Sequence, residues 1–143
     1  SSEEALTWLG VREDDFIVEI KLKENDKINF VTISALENVD MDTMFPQKIE
    51  VYGKNANGDF DFLNSIEIPI DKNIDDGNVT DFRDFTIPLN LNNYEEVKLI
   101  GKNYKEFPDL PVFHKKQKRK VWIFIDEIKI TLREIKYDFH FSQ

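Results

Sequence analysis

Apolar and polar residues alternate with a period of two along most of this chain, and no long stretch repeats with the period of a helix. In Phe16 to Leu22, Phe16, Val18, Ile20 and Leu22 alternate with Ile17, Glu19 and Lys21. In Lys48 to Tyr52, Ile49 and Val51 share one face, with Lys48, Glu50 and Tyr52 on the other. Side chains of a strand point alternately to its two faces, so such segments can bury one face against a partner and leave the other to water. Further β-rich runs are Ile28 to Leu36, Phe60 to Ile68, Phe82 to Leu89, Val97 to Ile100 and Val121 to Leu132, with a last run at Ile135 to Phe141. Val121 to Ile125 is apolar on both faces, which suits a strand in the middle of a sheet and puts Trp122 in the core. Asn57-Gly58 and Asp76-Gly77 supply the positive φ angles of tight turns. About eight short strands separated by turn signals predict an all-β, two-sheet antiparallel sandwich with little helix.

With 143 residues the chain has the length of one domain, so residues 1–143 are read as a single unit. The opening Ser1-Ser2-Glu3 suggests a piece cut from a larger protein. No apolar run approaches the roughly 20 residues of a membrane helix, and no membrane insertion is expected. The net charge of −9 argues against nucleic acid as a partner, because phosphate contacts need positive potential. Cysteine is absent, so disulfides and thiolate metal sites are excluded.

No nucleophile elbow, phosphate loop, dinucleotide glycine pattern or zinc-protease helix motif is present. Of the two histidines, His140 falls on the polar face of the expected last strand. Asp126-Glu127 is an adjacent carboxylate pair that suggests acid–base chemistry. Neighbours on a regular strand face opposite ways, which predicts one buried and one exposed carboxylate and no shared bond. No catalytic residues are therefore assigned. Asp75-Asp76-Gly77-Asn78 has the look of a calcium loop but lacks the later ligands, so a turn is the expected role and no cofactor is required. Asn78-Val79-Thr80 fits the N-glycosylation acceptor pattern, which matters only in a eukaryotic secretory setting.

The longest stretch without strand character is Lys102 to Lys120, with Pro108 and Pro111. Long loops in compact domains tend to carry function. Asn103, Tyr104, Phe113 and His114 combine stacking rings with amide and imidazole hydrogen-bonding groups, the mixture that small-ligand sites use. Phe113 and Tyr104 would offer stacking faces, and Asn103 and His114 hydrogen bonds, to a small ligand. The alternative is that Phe107 and Phe113 plug the end of the sandwich. The loop ends in Lys115-Lys116-Gln117-Lys118-Arg119-Lys120, five positive charges on an otherwise acidic chain. That run could grip an anionic polymer or a lipid surface, or stand as a solvated loop paired with nearby carboxylates.

Ile49-Glu50-Val51-Tyr52-Gly53 with Asn57-Gly58-Asp59-Phe60 resembles a hairpin of discoidin-like, coagulation-factor C-type domains. Lys102-Asn103-Tyr104, Pro111-Val112-Phe113-His114 and Val121-Trp122-Ile123-Phe124-Ile125-Asp126-Glu127-Ile128 resemble the end of the C-terminal domains of bacterial β-hexosaminidases, the chitobiases of glycoside hydrolase family 20. Trp8-Leu9-Gly10 with Asp14 resembles the early segment of the same domain. The resemblance spans about Trp8 to Ile130. It departs where Phe113 replaces a Trp and where the basic run replaces a Gly-rich stretch. The strand that precedes Trp8 and can carry a structural calcium loop looks shortened. The resemblance implies a galactose-binding-like jelly roll whose end loops bind sugars. It implies a non-catalytic accessory module on a parent β-N-acetylhexosaminidase, with the parent's catalytic domain as one partner and an N-acetylglucosamine- or galactose-containing glycan as the other. It further implies a bacterial parent that is secreted, periplasmic or on the cell surface. Two other roles stay open: a structural domain packed on the catalytic barrel, and a polyanion-docking module using Lys115 to Lys120.

Overall fold

The computed structural model describes residues 3–22, 28–71, 80–91 and 94–132. The run at Ile135 to Phe141 with His140, the Asp76-Gly77 turn, the Asp75 to Asn78 loop and the Asn78 acceptor lie outside the described residues. Eight strands form: β1 (Glu3–Arg12), β2 (Phe16–Lys21), β3 (Ile28–Glu37), β4 (Lys48–Lys54), β5 (Phe60–Glu67), β6 (Asp81–Leu91), β7 (Glu96–Gly101) and β8 (Trp122–Leu132). The only helical segments among the described residues are 3-10 turns at Val39–Met41 and Pro111–Lys116.

The strands pair antiparallel into two sheets of four, ordered β1-β8-β3-β6 and β2-β7-β4-β5. Each sheet draws its strands alternately from the two ends of the chain, so the chain folds as a doubled ribbon that crosses between sheets. This is the jelly roll. The β1–β2, β3–β4 and β7–β8 connections meet at one end of the sandwich, and the long 102–121 segment belongs to that end.

The core lies between the sheets. Val31, Ile33, Ile87, Ile123, Ile125 and Ile128 from the first sheet face Phe16, Ile49, Val51, Val97 and Leu99 from the second. β-Branched side chains dominate because their stiff χ1 rotamers suit a pleated surface. The β4–β5 hairpin forms at the expected place. Gly58 takes a φ of 85°, and the Asn55 carboxamide oxygen accepts from the amides of Asn57 and Asp59, at 2.9 and 3.1 Å.

Three expectations change. β1 is a full edge strand that pairs with β8 from Glu3↔Thr131 to Arg12↔Trp122, although its sequence lacks clean alternation. Trp122 is not a core residue. It is half-buried on the outer face of its sheet, its ring 5.4 Å from that of Phe124 and nearly parallel to it. Phe124 finds room there because its neighbour on β1 is Gly10, where a Cβ would come within 2.6 Å of the Phe124 ring.

The third change concerns Asp126 and Glu127. The β3–β8 register runs Ser34↔Glu127 and then Ala35↔Ile125, so Asp126 is the extra residue of a β-bulge. The bulge breaks the alternation between buried Ile125 and buried Ile128, and both intervening carboxylates stay partly exposed. The expected division into one buried and one exposed acid does not occur.

Candidate functional site

A second, smaller apolar cluster fills the loop end of the sandwich. Val39, Met44, Phe107, Phe113 and Val121 are buried in it, and Ile70, Tyr104 and Val112 pack against it. Phe113 has no exposed surface, and its ring lies 5.3 Å from that of Phe107. The ring therefore offers no face to a ligand, and of the two roles open to it in the sequence it takes that of the plug. Gln117 ties the loop over this cluster by donating to the carbonyls of Pro108 and Phe113, both at 3.1 Å.

Asn103 is also interior, at 5% exposure. Its carboxamide nitrogen donates to the carbonyls of Asp14 and Val121, each at 3.0 Å, and its oxygen accepts from the amide of Lys105 at 2.8 Å. Its own amide donates to the Asp15 carboxylate at 2.9 Å. With both amide hydrogens and the oxygen engaged, the side chain is a strut rather than a ligand contact. His114 is exposed on the 3-10 turn, one ring nitrogen 3.1 Å from the carbonyl of Pro111, and it does not line the cleft described next.

Tyr104 is the one expected residue at an open concavity. Its half-buried ring forms a wall of a depression of about 450 Å³, completed by Gln47, Lys48, Glu67, Ile68 and Pro69. No other described residue hydrogen-bonds to its hydroxyl. Burial and the nearby Glu37 carboxylate push that phenol above its ordinary range, so it is a neutral donor and acceptor near neutral pH. Gln47 holds the adjoining backbone together. Its amide donates to the Lys102 carbonyl at 2.8 Å, and its carbonyl accepts from Ile68 at 3.0 Å.

Behind Tyr104, Glu37, Phe45, Pro46, Asp71 and Arg83 line a slot of only about 10 Å³, room for a water molecule at most. Burial raises the carboxyl of Glu37 above its usual range, with Asp81 and Asp71 adding to the effect. The Phe45 amide, which donates to it at 3.2 Å, and the Arg83 charge partly offset this. Arg83 lies with its guanidinium 4.8 Å from the centre of the Phe45 ring and pairs with Asp81 at 2.8 Å. Apolar side chains, among them Met44, Ile68, Pro69 and Ile70, complete the lining of the slot.

The basic run is largely tied down. Asp42, in a left-handed conformation at φ 58°, takes hydrogen bonds from Arg119 at both oxygens and from Lys116 at 2.9 Å. Burial works against the Asp42 carboxylate, but these hydrogen bonds outweigh it and hold the acid below its ordinary value. Lys120 pairs with Glu106 at 3.1 Å and Glu13 at 3.4 Å. Of the five cations, Lys115 and Lys118 are left without a described carboxylate partner.

Sequence reasoning missed Gln47, Lys48, Glu67 and Pro69. They come together only through the register Lys48↔Glu67 between β4 and β5, and no local pattern announces it. Among the described residues no group of three or more His, Asp or Glu gathers as a metal site. No family model matches the chain, and no curated protein matches it. Among solved structures the chain is similar to the K2 cleaved adhesin domain of Lys-gingipain (Kgp). The identity is 10% and the TM-score 0.46, with 93% of this chain and 90% of that one covered.

Proposed function

We propose that this domain is a non-catalytic carbohydrate-binding module that takes a sugar in the depression beside Tyr104. The observation that carries the reading is the half-buried Tyr104 ring, its hydroxyl uncommitted, set among Gln47, Lys48 and Glu67 over an apolar floor of Ile68 and Pro69. A pyranose presents a C–H face and a rim of hydroxyls. A ring wall with donors and acceptors around it answers both features. The resemblance to β-hexosaminidase C-terminal domains supports an N-acetylglucosamine- or galactose-type ligand and a glycoside hydrolase as parent. Asp126 and Glu127 do not form a catalytic pair in this reading, because they are sequence neighbours outside the depression.

The depression is open and has one aromatic wall, so affinity belongs at about 0.1–10 mM. The test is a chemical-shift titration of the isotope-labelled domain with N-acetylglucosamine, its β-1,4-linked dimer and galactose. Saturating shifts at the amides of Gln47, Lys48, Ile68 and Tyr104 are expected with at least one of them. Tyr104→Ala should abolish those shifts while leaving the circular dichroism spectrum unchanged. Silence of these amides at about 50 mM of every sugar would overturn the proposal.

A further inference from the structure

Lys48 and Glu67 line the depression and also stand on the β4–β5 ladder. That pair is the first rung of the β4–β5 ladder, followed by Glu50↔Ser65, Tyr52↔Phe62 and Lys54↔Phe60. On β4, Ile49 and Val51 are buried, so Lys48, Glu50, Tyr52 and Lys54 turn to the outer face. On β5 a bulge intervenes. Val51 pairs with Asn64 but Tyr52 pairs with Phe62, which leaves Leu63 as the extra residue, packed inward on the core. Simple alternation back from outward Glu67 would turn Leu63 outward and Phe62 inward. The bulge reverses this and sets Phe60 and Phe62 on the outer face.

The result is an aromatic strip on a solvent-facing sheet. Phe62 is 57% exposed, and its ring meets Tyr52 edge-on at 5.7 Å. The Lys98 ammonium on neighbouring β7 lies 4.2 Å from the centre of the Phe60 ring and 5.3 Å from that of Tyr52, contacts that fix where the rings stand. The strip is electrically balanced, Lys48, Lys54, Lys98 and Lys102 being matched by Glu50, Glu67, Glu96 and Asp15. Among these, Lys48 pairs with Glu50 at 3.2 Å and Lys54 with Glu96 at 3.7 Å.

We infer that the Tyr104 depression is the mouth of an extended track, and that the ligand is a linear uncharged glycan chain lying along the outer face of β4 and β5. This rests on the sugar-binding reading of the depression and narrows it from a single sugar to a polymer. From Lys48 to Lys54 the track runs six residues, about 20 Å, enough for several sugar units. Balanced charge offers no net attraction to a polyanion. Rings for stacking, interleaved with donors and acceptors, suit successive sugar faces and hydroxyls.

The experiment is calorimetric titration of the whole domain with N-acetylglucosamine, galactose and their β-linked oligomers of two to six units. Wild type should bind a hexamer at least about tenfold more tightly than its monomer. Phe62→Ala and Tyr52→Ala should return the hexamer to the monomer's affinity without changing monomer binding. Equal affinity at every length, or a length dependence that survives Phe62→Ala, would overturn the track and leave the single-sugar site standing. Hexamer binding lost with Phe62→Ala but indifferent to Tyr104→Ala would overturn the depression as the mouth. No binding at any length would overturn both. Self-association that disappears with Phe62→Ala, in the absence of glycan binding, would reassign the strip to contact between copies of the chain.

Discussion

The carboxamide of Asn103 donates to the carbonyl of Val121 at 3.0 Å, tying the first turn of the long loop to the residue that ends it. The same nitrogen reaches Asp14 in the β1–β2 turn, so one side chain pins two connections at the loop end. Asn103→Ala would remove three hydrogen bonds, although the Val121 carbonyl keeps the Glu13 amide and Asp14 and Lys105 lie at the surface. Each such hydrogen bond contributes about 0.5–1.5 kcal/mol, so a total loss of about 2–4 kcal/mol is expected in urea denaturation. A change below about 0.5 kcal/mol would show that water replaces the side chain without penalty.

Phe113→Ala should cost about 3–5 kcal/mol, the range for removing a fully buried Phe. His114→Ala, one residue along and exposed, should stay within about 0.5 kcal/mol. The contrast separates a plug from a binding ring. A Phe113→Ala variant of normal stability that had lost sugar binding would contradict the structure.

Asp42 predicts an acid-side loss of stability. Its carboxyl is held below 3.8 in the folded state, because hydrogen bonds from Arg119 and Lys116 outweigh burial. Its contribution is therefore complete above the unfolded value and disappears as pH falls through the lower folded one. Arg119 is 57% exposed, so solvent screening reduces the effect to about 1 kcal/mol. Asn is at ease in the left-handed conformation, so Asp42→Asn isolates the charge. The variant should be weaker than wild type at pH 7 and match it once the pH has fallen below the lowered folded value. Lys118→Gln should have no measurable effect.

Glu37 predicts the opposite trend. Its folded value is raised above 4.5, chiefly by burial, so between the unfolded and folded values the native state holds the extra proton. Stability should fall as pH rises through that window. Glu37→Gln keeps an oxygen to accept from the Phe45 amide and removes the charge. It should flatten this part of the pH profile and raise stability at pH 7. Unfolding free energies of both proteins from pH 4 to 8 will show it, and parallel profiles would refute it.

Seven of the strands are legible in the sequence to within a residue or two at most ends, because one-sided burial writes a period of two into a strand wherever one face meets the core. β1 is not legible. Its apolar residues do not alternate regularly, and its place in the sheet is seen only from its pairing with β8. Tyr104 could be singled out from composition. Asn103 and Phe113 could be singled out too, but a buried Asn or Phe reads the same as an exposed one until its neighbours are known.

The amino-acid sequence by itself determined the class of fold, the place of the Asn57-Gly58 turn and the long proline-bearing loop, since alternation, turn chemistry and proline act over a few residues. Tertiary structure alone decided which side chains meet. It tied Lys116 and Arg119 to Asp42, more than seventy residues away, and paired Lys48 with Glu67 beside Tyr104. It also placed one extra residue in each of two strands, at Leu63 and at Asp126. A bulge shifts the facing of every residue beyond it, yet whether one forms depends on the partner strand. The face that carries Phe60 and Phe62 is therefore fixed by the pairing of β4 with β5 and not by the residues of β5 themselves.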